Sequence, residues 1–227
     1  MEYSTKDLIM NFRRMRNIKR CNMFPTLMPT DVAQHSYYVT MLAMLFNDEM
    51  KKFQIICPNE PAPQLDVSTL LRKAILHDTE EVFISDIPYN IKHHSDELHN
   101  ELENITNVEM KNIMQDYVMT AWNGYREQCK TGTEGAVVAL CDMLELAIYS
   151  YEEVSMGNTS MKVMLGNCNK YLDELMLKAV GVSVDDIEES EIETYIKSRV
   201  PTIYALREMI RHSVECNQYD DNIVIDI

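Results

Sequence analysis

The chain has only six glycines in 227 residues and no glycine-rich stretch, which excludes a phosphate-cradling loop of the P-loop type. No alternation of apolar and polar residues runs longer than Ile223-Val224-Ile225, so strands are not expected to build the fold. Positive charge is also short: 21 Lys and Arg stand against 36 Asp and Glu, a net charge of −15. A surface of that sign repels a nucleic-acid backbone, so nucleic acid is not an expected partner and any anionic ligand needs local positive groups. Six cysteines at 21, 57, 129, 141, 168 and 216 form no Cys-x-x-Cys pair, which excludes a zinc ribbon and a small disulfide scaffold and points to a reducing cytoplasm. No apolar run approaches the ~18 residues of a membrane span, and Met1 to Lys6 do not begin a signal peptide, so no membrane partner is expected.

What the chain does have is helical periodicity. Hydrophobic content of 46% with 25% charged residues suits a folded core. Leu8, Ile9, Phe12 and Met15 make one side of a first helix, and Cys21 to Asp31, with two prolines, reads as a loop. His35 heads a stripe continued by Val39, Leu42 and Phe46. After the proline-rich break at 57–63, Asp66 or Ser68 caps a helix carrying Leu70, Leu71, Ala74, Ile75 and Val82, which Pro88 limits. One long helical region is expected from about Glu97 to Gln128, carrying the single Trp122, and Lys130 to Gly135 breaks it. Val137, Leu140, Cys141, Leu144, Ile148 and Tyr151 form the next apolar face, interrupted at Gly157-Asn158, and a further helix runs to Gly181. Ser190 to Glu193 resembles a capping box, Pro201 starts the last helix, and the tail is polar.

Chemistry is concentrated in a few positions. His77 and Asp78 offer one nitrogen and one oxygen donor to a divalent cation, and helical spacing places Glu81 on the same patch, free to move protons. An isolated His-Asp pair is common, and a helix histidine is more often a hydrogen-bonded side chain, so the pair needs further ligands. His35 aims from the head of a buried stripe, and Asp142 is a lone acid in an apolar run, where an unpaired carboxylate needs a metal, a cation or solvent. Arg13, Arg14, Arg16, Lys19 and Arg20 crowd five basic residues into eight positions; most serve as a solvated helix face, and Arg20 is singled out for phosphate. His93, His94 and His99 lie among Ser95, Asp96, Glu97 and Asn100 and read as a solvated helix start.

The order His35, His77-Asp78, Asp142 resembles the ligand order of the HD-domain phosphohydrolases. Ile18-Lys19-Arg20, Gln34-His35-Ser36, the run His77 to Val82, the run Asp86-Ile87-Pro88-Tyr89-Asn90-Ile91-Lys92, Asp142 to Glu145, Glu152-Glu153-Val154 and Gly157-Asn158 are similar to the YfbR-like 5'-deoxynucleotidase branch, over roughly residues 10 to 175. The resemblance implies an all-α HD-domain helical bundle around a single divalent metal site, with the HD domain at 1–180. Residues 181–227 would be a C-terminal helical extension packed on or next to it. It implies that His35, His77, Asp78 and Asp142 hold one divalent cation (Co, Mn, Zn, Ni or Fe). Glu81 would then handle protons, Asp86 place substrate and water, and Arg20 grip phosphate beside Cys21 and Lys92. Cys21 stands where the branch carries tryptophan, and Gln34 where an acid precedes the first ligand. The implied activity is metal-dependent hydrolysis of deoxyribonucleoside 5'-monophosphates to deoxynucleoside and phosphate, by a cytoplasmic homodimer or higher homo-oligomer. Hydrolysis of deoxynucleoside triphosphates on the same site, which Arg13, Arg14, Arg16 and Lys92 would suit, and a non-catalytic nucleotide-binding regulator are the alternatives.

Overall fold

Asp31 and Asp66 start the two helices on which the site is built, and each does so by the same physics. A carboxylate placed just before a helix accepts from backbone N–H groups that have no partner within the first turn. In the computed structural model, which describes residues 5–92 and 94–218, Asp31 accepts from Gln34 N–H and Asp66 from Ser68 and Thr69 N–H. The helices are α1 (Thr5–Arg13), α2 (Val32–Ile56), α3 (Val67–Leu76), α4 (Glu81–Ile84), α5 (Tyr89–Lys92) and α6 (Asp96–Ile113). They continue with α7 (Asp116–Glu127), α8 (Gly132–Ser155), α9 (Lys162–Ala179), α10 (Glu189–Arg199) and α11 (Pro201–Gln218). No strand forms among the described residues; one isolated bridge, Lys19 to Asp31, closes the loop between Arg20 and Thr30.

The main core is one cluster, drawn from Val39, Phe46 and Met50 of α2, Leu70 of α3, Leu140 and Leu144 of α8, and Leu165 and Leu172 of α9. Ile196 of α10 and Ile203 and Ile210 of α11 belong to the same cluster. Glu49 caps α11 by accepting from Thr202 N–H at 2.8 Å, and Arg207 forks onto Asp173 with both contacts at 2.5 Å. The polar tail and the Ile223 to Ile225 alternation lie outside the described residues.

A smaller cluster of Met110, Ile113 and Met114 gathers Leu8, Phe12, Phe83 and Trp122. Here the expected single helix from Glu97 to Gln128 is two. Met114 leaves α6 in extended backbone and is almost fully buried, so the chain breaks its helix to drive that side chain inward.

Two other sequence expectations are corrected. α3 stops at Leu76, and His77 to Glu80 form a turn before α4, so His77 and Glu81 do not share one continuous helix. Ser190 does not cap α10, which starts at Glu189 without a side-chain cap.

Candidate metal centre

His35 comes from the first turn of α2 and is completely buried. Its Nδ1 meets the Glu145 carboxylate, one turn beyond Asp142 on α8. His77 lies in the turn after α3, and its Nδ1 is 2.7 Å from the Ala74 carbonyl, an acceptor. With both Nδ1 atoms engaged by acceptors, the two Nε2 atoms are left facing each other at 3.1 Å. Two imidazole nitrogens that close need a proton or a metal cation between or beside them.

Carboxylates complete the set. Asp142 Oδ1 is 3.1 Å from His35 Nε2 and 3.9 Å from His77 Nε2. Asp78 Oδ2 is 3.4 Å and 3.2 Å from the same two nitrogens. His35, His77 and Asp142 offer ligand atoms all within 4.8 Å of one another. Imidazole nitrogen with carboxylate oxygen suits the borderline transition cations, so the residues present fit one such ion. Burial and Arg20 push the His35 pKa down, yet Asp142 and Glu145 outweigh them and raise it to about 9. The cluster attracts positive charge.

Two protein cations sit on the carboxylates. Arg20 Nη1 is 2.5 Å from Asp78 Oδ2 and 3.8 Å from Glu81, and Lys130 Nζ is 2.6 Å from Asp142 Oδ2. Burial opposes the charge on Arg20, but Asp78, Glu81, Asp142 and Asp86 hold its pKa above the ordinary value. Burial likewise opposes ionisation of Asp142, and Lys130 and the histidines keep its pKa well below the usual range.

Glu81 opens α4 beside this group, buried, with Oε2 lacking any hydrogen-bond partner. Burial and then Asp78 push its pKa up to about 10. Asp86 follows in the next loop, where Cys21 N–H donates to its carboxylate and Asn22 donates to its carbonyl at 3.1 Å. Cys21 and Ser85 are the two non-glycine residues in left-handed backbone among those described, with φ of 53° and 67°. Such conformations persist only where the surroundings hold them, and both flank Asp86 and Arg20. Burial pushes the Cys21 thiol up to about 11, leaving it neutral at pH 7.

Lys92 is not brought to the ligand group. Its Nζ pairs with Glu80 at 2.5 Å, and Arg126, which forks onto Glu103, approaches the other Glu80 oxygen at 3.9 Å. Of the histidines after Pro88, His93 lies outside the described residues, and neither His94 nor His99 joins a metal-ligand group among them.

The sequence reading missed three supporting residues. Glu145 carried a signal, a second acid three residues after Asp142 in the same apolar run. Lys130 carried none, because its approach depends on how the loop before α8 folds. Glu153 is fully buried and accepts from Leu27 N–H at 2.8 Å, Met28 N–H at 2.6 Å and Asn158 Nδ2 at 2.6 Å, so α8 pins the loop that follows Arg20. Replacing Glu153 by alanine strands two backbone donors, and we expect a loss of about 3 kcal/mol by urea unfolding. Burial works against the Glu153 carboxylate, but these donors lower its pKa below 4.5. Its contribution is therefore complete above pH 4.5 and lost as pH falls below it. An acid limb unchanged in the variant would contradict that role.

Comparison with known proteins gives a consistent family. The model of the 5'-deoxynucleotidase YfbR-like family matches residues 7–191. A dATP triphosphohydrolase of Salmonella phage PMBT28 is 30% identical over 179 residues, spanning 77% of this chain and 80% of that protein. The 5'-deoxynucleotidase PM0747 of Pasteurella multocida is 22% identical over 189 residues, spanning 77% and 93%. In three dimensions, the cyanophage S-2L HD phosphohydrolase DatZ, bound to dA and one catalytic Zn2+ ion, superposes with a TM-score of 0.54 at 14% identity. That match covers 89% of this chain and 96% of that one.

Proposed function

The chain belongs to the 5'-deoxynucleotidase YfbR-like family, and from that premise we propose that it is a metal-dependent phosphohydrolase of deoxyribonucleoside 5'-monophosphates, releasing deoxynucleoside and phosphate. The observation that carries the metal reading is the pair of His35 and His77 Nε2 atoms, 3.1 Å apart with both Nδ1 atoms engaged elsewhere. His35, His77, Asp78 and Asp142 hold the ion. When bound, a divalent cation polarises a phosphoryl oxygen and lowers the pKa of coordinated water.

The remaining steps belong to the protein's own groups. Arg20 Nη1 grips the phosphate in a charge-assisted contact. Glu81 holds or moves a proton at its carboxyl, which burial and Asp78 push toward the neutral, donating form. Asp86, tied to Cys21, helps to place the substrate and water, and Glu145 keeps His35 Nε2 turned inward.

Two observations favour a second reading, hydrolysis of deoxynucleoside triphosphates: the phage relative has that activity in its name, and Arg13, Arg14, Arg16 and Lys19, which precede Arg20 in sequence, are exposed. A non-catalytic regulator is disfavoured by Glu81, which metal binding does not require. Among the described residues no helix is long and apolar enough to cross a membrane. A cytoplasmic homo-oligomer, an HD domain at 1–180 with its extension at 181–227, and a substrate contact by Lys92 belong to the same proposal.

The test is a panel of nucleoside mono-, di- and triphosphates, deoxy and ribo, on metal-supplemented protein. Deoxymonophosphates are expected to release inorganic phosphate fastest. Release of tripolyphosphate from a triphosphate, with monophosphates inert, would establish the second reading instead. Cys21 is much smaller than the tryptophan of its relatives, so discrimination between deoxyribose and ribose is expected to be weak and to rise in Cys21→Trp. Strong deoxy preference in the native chain, unchanged by that substitution, would place selectivity elsewhere.

A further inference from the structure

Lys130 is held in place from several directions. The α8 backbone passes so close that a Cβ on Gly135 would lie 2.4 Å from the Lys130 carbonyl carbon, so only glycine fits there. Buried Lys73 donates to the Thr131 carbonyl at 2.7 Å, and Gly132 turns the chain with φ of 70°. From this fixed loop the Lys130 side chain, half exposed at 50%, reaches Asp142 Oδ2 on the side away from the histidines. Arg20 pairs with Asp78 through Oδ2, the oxygen that also faces the two imidazole nitrogens.

The charges are matched. Asp78 and Asp142 together carry two negative charges, and Arg20 and Lys130 answer them. With a divalent cation among the ligands, those carboxylates no longer need the two organic cations. Arg20 and Lys130 are then left beside the site as a pair of positive charges, and a phosphate monoester near neutral pH carries between one and a half and two negative charges.

We propose that Lys130 is a second phosphate-binding residue, exchanging Asp142 for the substrate phosphoryl group when the metal site is filled. The inference rests on the metal reading above and extends it to an anion clamp of two cations, one from the loop before α2 and one from the loop before α8. Lys130 then takes part in substrate binding and not in holding the metal.

Inorganic phosphate, the expected product, is the probe. Its binding to manganese-loaded protein is measured by calorimetry, and manganese affinity is measured separately by competition with a chelator. Because Lys130 is exposed, Lys130→Gln should fold, which circular dichroism checks, and Lys130→Arg keeps the charge should the glutamine variant fail. Lys130→Gln is expected to weaken phosphate binding by about 10- to 100-fold, the loss of one charge-assisted contact, with manganese affinity unchanged or higher. Lys130→Arg should retain most of the phosphate affinity. Unchanged phosphate affinity in Lys130→Gln overturns the proposal. So does a fall in manganese affinity, which would make Lys130 a support for Asp142. Native protein that binds manganese but no phosphate overturns it while leaving the metal reading intact, and native protein that binds no divalent ion defeats both.

Discussion

Replacing Glu81 by glutamine is expected to leave the metal in place and lower turnover by at least about 100-fold, the loss typical of a general acid or base. Glu81 touches the group without being needed to complete it: His35, His77 and Asp142 already converge, and Asp78 lies within 3.4 Å of both imidazole nitrogens. Its Oε2 has no partner, which is an unfavourable arrangement for a buried carboxyl unless a ligand or water uses it. The sign of its stability effect follows from the pKa. The native value is about 10 against 4.5 in the unfolded chain, so above pH 4.5 the unfolded state gains by ionising while the native state holds its proton. Glu81 therefore destabilises the metal-free fold increasingly as pH rises from 4.5 toward 10. Glutamine removes that penalty, so the variant should melt no lower than the native chain at pH 8 while losing activity. A variant that stays active would put the proton shuttle elsewhere, and one that melts lower would make Glu81 a structural residue.

His77→Ala and Asp78→Ala are expected to abolish binding of the single divalent ion, read by elemental analysis after reconstitution. The linked stability change gives a second readout. A ligand at 100 times its dissociation constant stabilises the native state by about 2.7 kcal/mol, so the native chain should melt higher with metal and the variants should not. Native protein that neither retains nor takes up an ion would defeat the metal assignment.

The metal-ligand candidates were legible because each breaks a local pattern: His35 at the head of an apolar stripe, Asp142 within one, His77-Asp78 at the end of one. The helical class was equally legible from period and length. Geometry between segments was not. Nothing local says that Met114 prefers burial to helix continuity, or that α3 gives way at Leu76 to the turn carrying His77 and Asp78. Nor does spacing say that Lys92 pairs with Glu80, twelve residues before it. Lys130, twelve residues before Asp142, reaches it only because Gly135 lets the loop lie flat against α8. Such partners are fixed by tertiary approach, and one-dimensional spacing does not encode them.

The most direct test is inorganic phosphate released from a deoxynucleoside monophosphate by one preparation, measured after chelation and again after addition of one equivalent of a divalent transition cation. Release should fall to background on chelation and return with the ion, and should not return in His77→Ala. Full activity in the chelated protein, or none in the reconstituted one against any nucleotide, would contradict the account.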